Sequence, residues 1–391
     1  MPGEGMFFNR LNDQKEKDLP FVVYSVSSEK KGHLRAFIQH SAEVYKTNTF
    51  SETGFVFAPF DLEKSAILFP KEKCEVLETI FNDPEDFTPV AQNSISEING
   101  NREKHIELVQ KGIDGITQGL FKKVVLSRKE VVRSENLDAI VLFRRLLKKY
   151  PDAFVYLMHH PKIGTWLGAT PEKLLEVERN RLKTMALAGT QKYTDTMDVD
   201  WGKKEREEQQ IVTDSILDNL QDSVTNIASS GPFTTRAGAL LHLRTDITGE
   251  IISDNGNTIE NQENLKKIIS ALHPTPAVCG LPKNEAQNFI LENENYDREF
   301  YTGFLGEINM KKEVKRNSNR RNQENQAYSS FVTTSSLFVN LRCMKITANS
   351  AEIFVGGGIT KESMPEAEWE ETQNKAMTMK AVLDIADRKK V

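Results

Sequence analysis

Three cysteines in 391 residues, Cys74, Cys279 and Cys343, are too few and too scattered to form a disulfide framework or a zinc site. A reducing compartment, hence a cytoplasmic location, is the expectation. No run of about 18 apolar residues occurs, so no helical membrane span is expected. Met1 to Phe8 lack a basic stretch followed by an apolar core, and no signal peptide is read there. Nor is there an excess of positive charge. Lys and Arg number 51 against 56 Asp and Glu, and the net charge of −5 argues against general affinity for nucleic acid or anionic membrane. Internal repeats and low-complexity linkers are missing too. Of only seven histidines, His33, His40 and His105 have no convergent partners. What is present is an ordinary core-forming share of apolar residues, 38%, in a length that suits one large α+β unit or two to three average domains.

The stretch Ala351 to Lys375 carries the densest chemistry. It reads as a short strand from Ile353 to Val355, three glycines (Gly356, Gly357, Gly358), a polar turn, and a helix entered at Pro365. On that helix Glu368, Glu371 and Lys375 are spaced i, i+3 and i+7 and share one face. Glycines without side chains admit a ligand to the backbone and leave amides for an anion. Carboxylates beside such a cradle suit a hard cation bridging to an anionic substrate. On this stretch alone, a solvated helix face with a Glu371–Lys375 pair is the better explanation of the pattern.

Upstream, Phe21 to Val26 and Gly54 to Phe60 read as strands and Leu34 to Tyr45 as a helix. The Pro-containing, acidic stretch Asn82 to Asn99 reads as a loop ending a divergent part, residues 1–100. The rest, 101–391, is expected to form one intertwined unit with it. Glu103 to Gln118 has a helical repeat and leads into the strand Phe121 to Val132. Period two there places Lys123, Val125 and Ser127 on one face. Lys123 is either an edge gatekeeper or a buried functional amine. A hairpin follows (Phe154 to Ala169), then Glu172 in a Thr-Pro-Glu turn and a strand ending in Ala188-Gly-Thr-Gln. The charged helix Trp201 to Leu220 carries Glu205 and Glu208 on one edge beside its apolar stripe, a metal ledge or a solvated acidic face. His242 lies on a strand and His273 in a Pro-rich loop. Lys311 to Asn325, basic but without aromatics, reads as a mobile hairpin tip and not a nucleic-acid site. Leu337 to Ile346 reads as one strand bearing Arg342, a residue suited to gripping a carboxylate.

Together these pieces resemble the chorismate-utilising enzymes: isochorismate, salicylate, anthranilate and aminodeoxychorismate synthases. The matching stretches are Lys123-Val-Val-Leu-Ser-Arg, Gly168-Ala-Thr-Pro-Glu, Leu187-Ala-Gly-Thr, Lys204-Glu-Arg-Glu-Glu, His242-Leu-Arg-Thr and Leu272-His-Pro-Thr-Pro-Ala-Val. Asp297-Arg-Glu-Phe-Tyr-Thr-Gly, Leu341-Arg-Cys, and Gly356-Gly-Gly-Ile with Glu368-Trp-Glu-Glu-Thr-Gln-Asn-Lys complete the set. The resemblance covers about Glu103 to Leu383. It implies an α+β fold of two large, mainly antiparallel sheets packed together with helices outside.

Lysine at position 123 matches the members that add water, since ammonia-using members typically have glutamine there. Ala188 stands where aminodeoxychorismate synthases carry a nucleophilic lysine. The resemblance therefore implies isochorismate synthase chemistry, serving menaquinone or siderophore synthesis, with salicylate synthase as the alternative. It makes Lys123 the general base and Glu172 the general acid, which needs the lysine neutral and the carboxyl protonated near neutral pH. It assigns magnesium to Glu208 and Glu371, with Glu205 and Glu368 holding metal-bound water. Arg342, Lys375 and the Gly356–Gly358 amides would hold the substrate's side-chain carboxylate. Gly189 and Thr190 would line the ring pocket, with Tyr301 and His273 also at the substrate, although loop packing explains His273 and His242 equally well. Gln209, Cys279 and Gly357 depart from common family residues. A monomer without a glutaminase partner is expected. An alternative of another class is a catalytically silent binding module using the Lys311–Asn325 loop.

Overall fold

Short apolar runs rich in aromatic and β-branched residues recur along the chain, and the strands they form, several buried on both faces, collect into two antiparallel sheets. In the computed structural model, residues 2–26, 32–82, 96–98, 102–134, 137–252, 261–315 and 329–383 are described. The first sheet runs β16 (Gly280–Leu281), β8 (Lys123–Arg133), β20 (Ser350–Ile359), β19 (Cys343–Ile346), β10 (Gly164–Thr170), β9 (Phe154–His160), β1 (Phe21–Ser25), β2 (His33–Gln39) and β6 (Cys74–Ile80). A short β7 (Ser96–Ile98) lies on β8. The second runs β13 (Val224–Ser229), β15 (Leu240–Ile251), β12 (Arg181–Lys192), β11 (Lys173–Glu178), β18 (Ser329–Val339), β17 (Phe304–Lys315), β4 (Gly54–Ala58), β5 (Ala66–Pro70) and β3 (Tyr45–Thr47). Here β14 (Phe233–Ala237) pairs with β15. This is the expected α+β arrangement.

The sheets pack face to face through aromatic side chains. Tyr24, Phe37, Tyr156 and Trp166 from the first meet Phe55, Phe57, Phe69 and Phe338 from the second. Phe154 and Phe338 stack across the interface with centroids 4.1 Å apart. Burying each such ring contributes roughly 1.5–3 kcal/mol.

Helices cover the outer faces. On the first sheet lie α1 (Glu4–Glu16), α3 (Ala139–Lys149) and α7 (Pro365–Lys380), through Phe7, Leu11, Phe143, Leu146, Ala376 and Met379. Asp138 caps α3 by accepting from the Ile140 and Val141 amides. On the second lie α4 (Lys203–Leu220) and α5 (Asn261–Leu272), through Val212, Ile216, Leu265, Ile268 and Ile269. Near β8, α2 (Arg102–Thr117) and α6 (Lys283–Asn293) close the end of the first sheet through Val109, Ala286 and Ile290.

Three local readings change. Leu34 to Tyr45 forms no helix: Leu34 to Gln39 belong to β2, residues 40–44 connect, and Tyr45 begins β3, because β1 and β6 flank β2 and satisfy its backbone, which outweighs a helix-compatible apolar spacing. The strand expected over Ile353 to Val355 runs on through the three glycines to Ile359, because β8 pairs with them. Leu337 to Ile346 is not one strand. It breaks at Asn340–Arg342, where Arg342 takes a left-handed conformation (φ 47°). Lys311–Lys315 belong to β17, and the remainder of the expected hairpin tip, 316–325, lies outside the described residues, as does most of the expected loop over 82–99. The first hundred residues feed both sheets, β1, β2 and β6 into one and β3, β4 and β5 into the other.

The break at Arg342 is one of several places where the chain passes between sheets. It crosses from β10 to β11 at residues 171–172, from α5 to β16 at 273–279, from α6 to β17 at 294–303, and from β18 to β19 at 340–342. Each crossing lends residues to one cleft.

Candidate active site

The cleft has a volume of about 70 Å³. Pro171 and Glu172, Ala277 and Val278, Tyr301 and Thr302, and Leu341 and Arg342 come from the four crossings. Gly356 to Gly358 form one wall, while Glu208 from α4 and Glu371 and Lys375 from α7 reach in from the helices.

Lys123 lies at the start of β8, between β16 and β20, and is wholly buried. That placement removes the gatekeeper explanation, since an edge lysine keeps its amine in water. Its Nζ stands 2.9 Å from Glu208 Oε1, an ion pair without hydrogen-bond alignment. A Cβ added to Gly358 would come within 3.0 Å of Lys123 Cε and would collide with Glu208 Oε1. Glycine at 358 is what lets lysine and glutamate meet.

Strand geometry fixes what the other glycines do. The Lys375 ammonium donates to Gly356 O at 2.9 Å, so the Gly356 polar groups point away from β8. In agreement, the opposite residue on β8, Ser127, gives its amide to Glu294. Gly358 has the same orientation by period two, and β19 pairs only with Ala351–Phe354 of β20. The Gly356 and Gly358 amides therefore face the cleft side.

Glu172 is 4% exposed. Burial pushes its carboxyl up to about 7, against the pull of Lys123, Arg342 and Lys375. Arg342 Nη2 donates to His242 Nε2 at 3.4 Å, and His242 Nδ1 donates to Gly189 O at 2.8 Å. These contacts fix a neutral imidazole, its pKa lowered to about 3 by burial and then by Arg342. Gly189 and Thr190 form a bulge in β12, with Gly189 at φ 67° and the register shifting between Ala188 and Gln191. The bulge turns Gly189 O and Thr190 toward His242. Tyr301, 3% exposed, places its hydroxyl 3.0 Å from where a Gly356 Cβ would stand.

Three carboxylates are each held by a lysine: Glu208 by Lys123, Glu371 by Lys375 at 2.5 Å, and Glu368 by Lys204 at 2.6 Å. Glu368 and Glu371 flank Gly357, whose Cβ would lie 3.3 and 3.7 Å from their oxygens. Burial and the repulsion of Glu371 raise the Glu368 pKa. Burial acts the same way on Glu371, but Lys375 outweighs it and holds that carboxyl low. Among the described residues no three His, Cys, Asp or Glu side chains converge as a metal-binding group. Yet Glu368 Oε2 is buried with no hydrogen-bond partner, next to a second carboxylate. Hard oxygen donors with one orphaned atom fit a divalent cation of the magnesium type.

Two sequence-predicted residues stand elsewhere. His273 is outside the cleft: its Nε2 bonds Phe60 O at 3.1 Å and its ring packs edge-on to Phe304, so loop packing accounts for it. The Glu205 carboxylate turns back towards Gly202 and does not join Glu208 and Glu371. Gln209, one of the departures, bonds Ala186 O and Thr245 Oγ1 beneath α4.

The sequence reading underrated His242 and passed over Arg298. The Arg298 guanidinium grips Glu294 through two nitrogens and donates to Val278 O, Val125 O and Thr302 Oγ1. It thereby ties two crossings to β8. Its sequence signals were the i, i+4 spacing of Glu294 and Arg298 and its place within the Asp297-Arg-Glu-Phe-Tyr-Thr-Gly run.

The chain is similar to isochorismate synthase MenF of Pasteurella multocida, 30% identical over 287 residues, which are 70% of this chain and 60% of that protein. It is similar to isochorismate synthase EntC of Escherichia coli K12, 29% identical over 67% of this chain and 62% of the relative. The matched segments thus span about 60% of these relatives' length. The crystal structure of DhbC from Bacillus anthracis superposes with a TM-score of 0.74 at 22% identity, covering 97% of this chain and 100% of that one. Residues 57–315 match one chorismate binding enzyme family pattern and residues 327–381 a second. With the fold, the cleft and the two matched segments in agreement, the chain belongs to the chorismate binding enzymes.

Proposed function

We propose that the chain isomerises chorismate to isochorismate, with magnesium bound and without a glutaminase partner, as a monomer. The observation that carries this reading is a buried carboxyl, Glu172, with a pKa near 7 in a cleft also lined by Glu208, the ion-pair partner of Lys123. Such a carboxyl is a proton donor at neutral pH.

In this reading Lys123 takes a proton from water as the water oxygen bonds to C2 of the ring. The ring double bonds shift, the C4–oxygen bond breaks, and Glu172 supplies the proton that lets the hydroxyl leave as water. Arg342 and the Gly356 and Gly358 amides hold the substrate's carboxylates, and Tyr301 and the Gly189–Thr190 bulge bound the ring. His242, held neutral, keeps the Arg342 guanidinium in place. Glu208, Glu371 and Glu368 would hold magnesium, which neutralises carboxylate charge as the ring electrons move.

The test is to incubate purified protein with chorismate and magnesium, without ammonia or glutamine, and to separate the products. Isochorismate without pyruvate is expected. Salicylate with pyruvate would move the chain to the salicylate synthase alternative, and untouched chorismate beside a working control would leave only a binding role.

A further inference from the structure

A second cavity of about 500 Å³ opens beside the cleft and shares Pro171, Leu187, His242 and Arg342 with it. The Arg342–His242 contact stands between the two spaces. Charge in this outer cavity is one-sided. Lys149, Arg236, Arg244 and Arg342 line it against a single acid, Asp152, in a chain whose net charge is −5.

Two of these cations are pre-oriented by the β14–β15 hairpin. Arg236 Nε donates to Gly238 O at 2.8 Å, and its guanidinium lies 3.7 Å above the Tyr193 ring. Arg244 Nε donates to Asp246 Oδ1 at 2.6 Å, and its guanidinium lies over Phe233 at 5.7 Å. Among the described residues the terminal nitrogens of both carry no further hydrogen bond. Planar forks held by Nε and a ring face are matched to carboxylates, and holding them still reduces the entropy lost on binding.

We propose that this outer cavity is an anion vestibule, in which Arg236 and Arg244 take up the carboxylates of the incoming dianion before it passes Arg342 into the cleft. The proposal rests on the functional reading above, in which the substrate carries two carboxylates. The physical need is clear. The three inner carboxylates are each paired with a lysine, but the chain as a whole carries a net charge of −5, so a dianion coming from solvent gains from a basic surface on its route. A basic funnel of this kind raises association rates by about 10- to 1000-fold and loses effect as salt rises.

The experiment compares the wild type, R236Q/R244Q and R236K/R244K over a range of ionic strength. For the wild type, kcat/KM falls as salt is raised. For R236Q/R244Q at low salt, kcat/KM drops about ten-fold with kcat within two-fold, and the salt dependence flattens. R236K/R244K recovers most of the loss, which a purely structural role for the arginines would not give. An unchanged kcat/KM and salt slope in R236Q/R244Q, or a loss confined to kcat, overturns the proposal. If the wild type leaves chorismate untouched, the functional reading fails on its own. The vestibule is then decided by calorimetry with isophthalate, an aromatic dicarboxylate: weaker binding to R236Q/R244Q supports it, and equal binding overturns it.

Discussion

Glu172 and Arg342 are tied to one another's crossing by a reciprocal pair of backbone hydrogen bonds. The Val339 amide donates to Glu172 O, and the Ala169 amide donates to Arg342 O, both at 3.0 Å. The chain leaves the first sheet after β10 and re-enters it after β18, and each crossing takes the other's carbonyl at the point where its own ladder ends. A carboxyl and a guanidinium distant in sequence are thus held at fixed positions on one cleft. The active-site geometry follows from how two sheets exchange strands.

Glu172 makes stability and activity depend on pH in a defined direction. Its folded pKa, about 7, is raised above the ordinary 4.5, so the folded chain holds a proton that the unfolded chain has lost between those values. Stability therefore declines as pH rises from 4.5 to 7, and the full cost, about 3 kcal/mol, is present above 7. Glu172→Gln should flatten that decline in denaturant titrations at pH 5, 6, 7 and 8. The same substitution should lower kcat by about 100- to 10,000-fold, while wild-type kcat falls above pH 7 as the acid ionises.

Lys123→Gln keeps a polar group on β8 but removes the amine. Isochorismate formation followed by chromatography should fall about 100- to 10,000-fold. Loss of the partner for Glu208 should also lower the denaturant midpoint. A variant that retains near-normal turnover would remove Lys123 from the base role.

Gly358→Ala places a methyl group against Glu208 Oε1 and Lys123 Cε, whereas Gly231→Ala meets nothing within 4 Å. The first should lose at least ten-fold in kcat/KM with a circular dichroism spectrum like the wild type. The second should match the wild type in both measurements, so the pair separates site crowding from general glycine effects.

Glu368→Gln removes a carboxylate whose Oε2 has no partner and leaves Lys204 without its ion pair. Binding of Mn²⁺, followed by electron paramagnetic resonance as a stand-in for magnesium, should weaken about 10- to 100-fold. Unchanged affinity would take Glu368 out of the cation site.

Arg298→Met leaves Glu294 buried without its guanidinium partner. Equilibrium unfolding should show a loss of about 3–5 kcal/mol. Arg298→Lys should recover only part, because an ammonium cannot reproduce the fork that spans Glu294, Val125 O and Val278 O.

Much of the site was legible where local spacing decides geometry. Glu368, Glu371 and Lys375 share a face of α7 because 3.6 residues make a turn, and Pro365 starts that helix wherever it packs. The strand periods of β1, β4, β8, β9 and β10 and the amphipathic stripe of α4 were equally local. Composition alone argued against a disulfide scaffold, and no helix among the described residues is long and apolar enough to cross a membrane.

Tertiary structure decided everything that depends on a partner strand. Leu34 to Gln39 carries an apolar spacing open to either helix or strand, and only β1 and β6 settled it. The glycines of β20 needed β8 to be strand, and Lys123 needed β16 and β20 on its flanks to be buried. Arg342 left its strand because the chain changes sheets there, and His242 and His273, alike in sequence, went to the cleft and to the loop core. The reason is physical. Helix faces are fixed by bonds within one segment, while burial, strand edges and pKa shifts depend on which distant segment supplies the missing hydrogen bonds and excludes the water.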